Sequence, residues 1–145
     1  MLKNFFKNQK KENSNNNILV IALLIHAAKI DENYTENEKK IIKKAIIHLN
    51  QKSPDEAEKI LKLAEKKEEE SNQIIEFTRE IKKYSMEFRL KIIEIIWKIV
   101  YSDGTSDNYE SNLIRRICGL LYISDKDNGI IKTKVKNLKE IWLTL

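Results

Sequence analysis

Proline and glycine are scarce in this sequence, with one Pro and three Gly among 145 residues. The tight turns of all-β folds draw on both, and no stretch alternates with period two for long enough to make a strand, so the chain is expected to be helical. Cysteine occurs once, at Cys118. No internal disulfide can form, and two histidines are too few for a Cys/His zinc cluster, which points to a reducing, cytoplasmic setting. A P-loop, a GxSxG elbow and an HExxH pair are all missing, and the reading is non-enzymatic. Apolar runs stay well short of the roughly 20 residues needed to span a bilayer. The run from Ile18 to Ile25 follows Lys3, Lys7, Lys10 and Lys11 as a signal peptide would, but the polar spacer is long and His26 and Lys29 end the run. Charge of one sign is not in excess: 27 Lys and Arg face 22 Asp and Glu, mostly interleaved, and the net +5 speaks to solubility more than to nucleic-acid binding.

What the sequence does contain is a repeat. Asp31-Glu-Asn-Tyr-Thr-Glu-Asn-Glu38 returns 72 positions later as Asp103-Gly-Thr-Ser-Asp-Asn-Tyr-Glu110. Upstream, Val20, Ile21, Leu24 and Ala28 keep phase with Ile92, Ile93, Ile96 and Val100; downstream, Ile42, Ile46 and Leu49 fall on Ile114, Cys118 and Leu121. The expected fold is all-α, about seven helices in a single domain, built from two related three-helix units around two buried hydrophobic helices. Residues 1–16 are expected to be a flexible basic arm, and 17–145 the helical domain.

Helix one spans about Asn17 to Ile30 and is apolar nearly all round. Thr35 and Glu38 form a capping box for helix two, Ser53 and Glu56 another for helix three with Pro54 in its first turn, and Ser85 and Ser124 cap helices five and seven. The charged run Glu65 to Glu70 leaves open whether helix three is separate from the helix carrying Ile74, Phe77 and Ile81. In helix five only the stripe Glu87, Lys91, Glu94, Lys98 is polar. Helix six runs from about Asn108 to Tyr122, and the last helix is expected to turn Ile130, Ile131, Val135, Leu138 and Ile141 inward.

Each repeated motif puts an Asp where a buried helix ends and a Glu in the first turn of the next. Oxygen donors of this kind suit Ca²⁺ or Mg²⁺, and Asn33, Thr35, Glu36, Thr105, Asp107 and Asn108 add further donors, although the spacing is not that of an EF-hand. The same Glu residues are also accounted for as partners of the caps Thr35 and Asp107. An Asp at a helix C-terminus opposes the dipole and is harder to explain, though Asp103-Gly104 also suits a turn.

The pattern Ala27-Ala28-x-x-Asp31 with Glu38 seven beyond, a Trp97-containing apolar helix, Tyr101-x-Asp103-Gly104, Glu110, and Leu113-Ile-Arg-Arg-Ile117 resembles the TerB-like family of tellurite-resistance proteins over roughly residues 17 to 140. That family in turn resembles the N-terminal domain of DjlA-type membrane co-chaperones. The resemblance implies a bacterial all-helical module acting in stress response or complex assembly, with a divalent cation at Asp31, Glu38, Asp103 and Glu110; Asp107, one of the loop donors, is the secondary candidate. Two positions depart from the pattern: Glu32 stands where the family usually has Gly, and Ser106 replaces the bulky residue that Tyr34 represents in the first half.

His26 and His48 read as core or boundary residues, Cys118 as a small buried hydrophobe, and Trp97 and Trp142 as core. Tyr101 and Tyr109 bracket the second acidic loop. Lys132, Lys134, Lys136 and Lys139 give the last helix a basic face, ordinarily solvated, that would also suit an acidic partner or peripheral contact with an anionic membrane. Two alternatives stand beside the cation-binding module: a metal-free protein-interaction or co-chaperone-like scaffold and, ranked last, a metal-dependent hydrolase.

Overall fold

Two helices that bury most of their circumference dictate the arrangement of the others. The computed structural model describes residues 14–30, 34–50, 52–71, 73–102 and 108–138, in which there are seven helices and no strand. They are α1 (Ser14–Ala28), α2 (Glu36–Asn50), α3 (Pro54–Glu70), α4 (Ile74–Ile81), α5 (Met86–Tyr101), α6 (Asn108–Leu120) and α7 (Asp125–Asn137). In α1 every residue from Val20 to Ile25, together with Ala27 and Ala28, is buried. α5 likewise buries Phe88, Ile92, Ile93, Ile95, Ile96, Trp97, Ile99 and Val100. At about 1.5–3 kcal/mol for each large apolar side chain, these two helices supply much of the drive to fold.

α1 is enclosed by α3, α4 and α5, and α5 in turn packs on α7, α1 and α2. Within the first half α1 packs most extensively on α3, and within the second α5 packs most extensively on α7. That is the correspondence the repeat predicts.

Helix starts follow local chemistry. Ser53 Oγ accepts from Glu56 N–H at 3.2 Å and Glu56 Oε1 accepts from Ser53 N–H at 3.2 Å, with Pro54 in the first turn. Ser85 and Ser124 accept from the N–H groups of Phe88 and Asp127, each at 3.1 Å. α3 and α4 are separate helices, because the chain turns extended at Ser71 (φ −145°, ψ 106°). Ser71 also donates its hydroxyl to Glu76, tying the two helices across the break. At the other end of α6, Tyr122 takes a left-handed φ of 59°. Its N–H reaches Gly119 O at 3.3 Å while Ile123 N–H reaches Cys118 O at 2.9 Å, the paired bonds of a Schellman stop.

Several boundaries differ from the sequence reading. α1 begins at Ser14, inside the segment assigned to the arm, and ends at Ala28; α6 ends at Leu120. The last helix buries less than its composition suggests: Ile130 is 57% exposed and Leu138 41%, with Val135 buried and Ile131 partly so. The contact line on α5 follows Asn128, Ile131 and Val135, and at 100° per residue Ile130 lies roughly 140° from it. Leu138 is already the residue after the helix. Ile141, Trp142 and Lys139 lie outside the described residues.

α7 docks on α5 through mixed contacts. Trp97 is buried, donates Nε1–H to Asn128 Oδ1 at 2.9 Å and stacks on Tyr101 with centroids 5.6 Å apart. Lys132 sets its ammonium 5.1 Å from the Trp97 ring centre. Glu94 binds Lys134 at 2.9 Å, Lys91 at 3.0 Å and Lys98 at 3.4 Å. Part of the basic face of the last helix is therefore spent on α5.

Candidate functional site

The first acidic corner begins where α1 runs out. Lys29 N–H still reaches Ile25 O at 3.0 Å and Ile30 N–H reaches Ala27 O at 3.5 Å, after which the helix is finished. Beyond the corner, Thr35 Oγ1 accepts from Glu38 N–H at 3.1 Å and Glu38 Oε1 accepts from Thr35 N–H at 2.7 Å. This is the reciprocal box read from Thr35-x-x-Glu38. The Glu38 residue is 2% exposed. A carboxylate so far from water needs strong hydrogen bonds or a cation, because desolvation otherwise favours its neutral form.

Of the proposed ligands, Glu38 is the one whose side chain is described. Asp31, Asp103 and Asp107 lie outside the described residues, as do the side chains of Glu110, Asn108 and Tyr109, and of the further donors Asn33 and Thr105. Among the described residues there is no group of three or more His, Cys, Asp or Glu able to hold a metal ion.

Tyr34, just before the Thr35 cap, is partly buried, with its hydroxyl away from solvent. Burial raises its hydroxyl pKa far above the usual phenol range, and the neighbouring Glu65 carboxylate pushes it the same way. The buried hydroxyl finds no hydrogen bond of good geometry among the described residues. Lys39 lies 4.9 Å and Lys29 5.8 Å from the ring centre, each within cation–π range.

Lys29 links this corner to a polar node that the sequence reading missed. Glu68, only 5% exposed, accepts from Lys29 Nζ at 2.8 Å and pairs with His26 Nδ1 at 3.1 Å. His26 in the last turn of α1 and Lys29 just beyond its end both turn toward the same carboxylate on α3. Glu68 looked like one more acid in the solvated run Glu65 to Glu70. Its signal was its phase: Ala57, Leu61, Ala64 and Glu68 are the four buried residues of α3, at spacings of four, three and four. Continuing the apolar stripe by one step places Glu68 against α1.

A cavity of about 320 Å³ opens beside this node, lined by His26, Gln73, Ile74, Ile75 and Arg116. The other singled-out residues have plainer places. His48 is exposed, and Cys118 is buried, its thiol pushed up to about 12 by burial and then by Asp125, as suits an inert core residue. No described helix is long and apolar enough to cross a membrane.

Comparison with known proteins bears on the corner as a whole. Searches among curated proteins and among solved structures gave no match. The family model described as tellurite resistance protein TerB matches residues 17–133, a span that takes in both acidic motifs and all the helices from α1 to α7 in large part. With a match over most of its length, the chain belongs to the TerB family.

Proposed function

We propose that this TerB-family protein is a non-enzymatic binding module serving a stress response, such as that to tellurite, or the assembly of a membrane-associated complex. The observation that carries the reading is the family match across residues 17–133. The resemblance to DjlA-type co-chaperone domains supports the assembly role. In this reading Asp31, Glu38, Asp103 and Glu110, with Asp107 as a secondary ligand, hold a divalent cation, Ca²⁺ or Mg²⁺, or an equivalent cationic group.

The donor set is composed of carboxylate oxygens, which suits a hard cation rather than zinc or copper. The burial of Glu38 fits such a role, since a positive charge would offset the desolvation of its carboxylate. A bound cation supplies charge neutralisation between helix ends. Of the chain's own residues, Thr35 fixes one oxygen of Glu38 through its backbone N–H.

Calorimetric titration with Ca²⁺, Mg²⁺ and Mn²⁺ tests the proposal, comparing the natural chain with Asp31→Asn plus Asp103→Asn. Heat and a thermal shift in the natural chain alone are expected. If neither protein responds, the cation leaves the account and the second reading takes its place. That second reading is a metal-free interaction scaffold, favoured by the closed Thr35–Glu38 box, in which the acids serve as caps and turn formers.

A further inference from the structure

The cavity at the meeting of α1, α4 and α6 is chemically unlike the acidic corners. Among the described residues no carboxylate lines it; its wall carries the imidazole of His26, the guanidinium of Arg116, the amide of Gln73 and the side chains of Ile74 and Ile75. Arg116 makes no ion pair or hydrogen bond among the described residues, and the Gln73 side chain makes no capping bond to α4. Both are thus available to a ligand.

The nearest buried acid is Glu68, and Lys29 already balances its charge at 2.8 Å. Among the described residues that line the cavity, the one fixed charge is that of Arg116, which is positive whatever the state of His26. Glu68 also governs how His26 is presented. In the neutral ring, a carboxylate partner at 3.1 Å keeps the proton on Nδ1, which leaves Nε2 an acceptor, so the donors to an anionic ligand here are Arg116 and Gln73. The Phe77 ring, its centroid 6.3 Å from that of His26, backs the imidazole. Such a volume falls at the lower end of small-ligand sites, and two isoleucines on one side favour an occupant with an apolar part.

We propose that this cavity binds a carboxylate carrying a short aliphatic chain, with Arg116 and Gln73 taking the carboxylate beside His26, and Ile74 and Ile75 covering the hydrocarbon. Arginine presents two parallel N–H groups that match a carboxylate, which a lysine at the same place would not. The occupant can be a free small acid or the C-terminal residue of a peptide; both offer the same groups. The site shares no residue with the acidic corners and stands independently of cation binding there.

The test uses the isotopically labelled full chain, followed through the His26 ring C–H and Arg116 Nε–H signals. The probes are isovalerate, its neutral amide isovaleramide, and the tripeptide Gly-Gly-Val with a free or an amidated C-terminus. Saturable shifts at both residues are expected for at least one free carboxylate, with the matching amide about tenfold weaker or worse. Tighter binding of the tripeptide assigns the site to a chain terminus, and tighter binding of isovalerate to a small acid. Arg116→Gln, at an exposed position, is expected to weaken binding about tenfold and leave the unfolding midpoint unchanged. Equal responses to acid and amide, the absence of saturable shifts through the millimolar range, or undiminished binding in Arg116→Gln would each overturn the assignment.

Discussion

Replacing Lys29 by methionine removes the closest cation from Glu68 while nearly preserving the volume of the side chain at the end of α1. At 2.8 Å and an effective dielectric of about 20, the lost attraction is about 6 kcal/mol before desolvation and screening. Most of that is offset. Lys29 keeps 29% of its side-chain exposure and His26 remains at 3.1 Å, so the expected net cost is about 2–3 kcal/mol, below the 3–5 typical of a fully buried pair. In a chain of this size that lowers the melting temperature by about 5–10 °C. The informative measurement is the second step. Glu68→Leu combined with Lys29→Met turns the α1–α3 contact into an apolar one in line with Ala57, Leu61 and Ala64, and should recover stability to within about 1 kcal/mol of the natural chain. Urea unfolding of the two single variants and the double reads this directly. A Lys29→Met protein as stable as the parent, or a double variant no better than Lys29→Met alone, would refute the view that Glu68 is a buried charge held by its partners.

Acid unfolding should report the Glu94 cluster. Burial raises the Glu94 carboxyl, but hydrogen bonds from Lys134 and Lys91 and the charges of Lys91 and Lys98 outweigh it, leaving it near about 2 against an ordinary 4.5. A folded value below the unfolded one means that the stabilisation is present above pH 4.5 and drains away as pH falls from there toward 2. After discounting for solvent screening it amounts to about 1–2 kcal/mol. Glu94→Gln should therefore flatten the loss of stability between those pH values, and an unchanged acid limb would contradict the assignment. At the first corner, Thr35→Ala should destabilise by about 0.5–2 kcal/mol through loss of the cap, measured by thermal unfolding. A neutral effect there would mean that α2 is held by packing alone.

The features legible in the sequence are those decided within four residues of chain. Thr35, Ser53, Ser85 and Ser124 each cap the helix foreseen for them, because a hydroxyl needs only the backbone N–H three residues on. The apolar helices α1 and α5 were legible because no partner choice can leave them exposed. Glu68 was missed because its charge hid its phase: it continues the stripe of Ala57, Leu61 and Ala64 where Glu69 and Glu70 do not, but what covers that stripe is decided by the packing of α1 on α3. Ile130 failed for the complementary reason: its apolarity is plain, but the line along which α7 meets α5 is chosen by Asn128 and Val135. Of the candidate metal site, the Glu38 box is the portion that could be read and then seen.

That α1 is walled by α3, α4 and α5 carries a consequence for biogenesis. Part of its lining lies about 60 to 80 residues further along, so a nascent chain must shelter an oily rod until Phe88 to Val100 emerge to close over it. Loop closure over such separations is slow relative to local helix formation. The interval is one in which self-association competes with productive folding. A chaperone holding the amino-terminal half would act on this helix before any other.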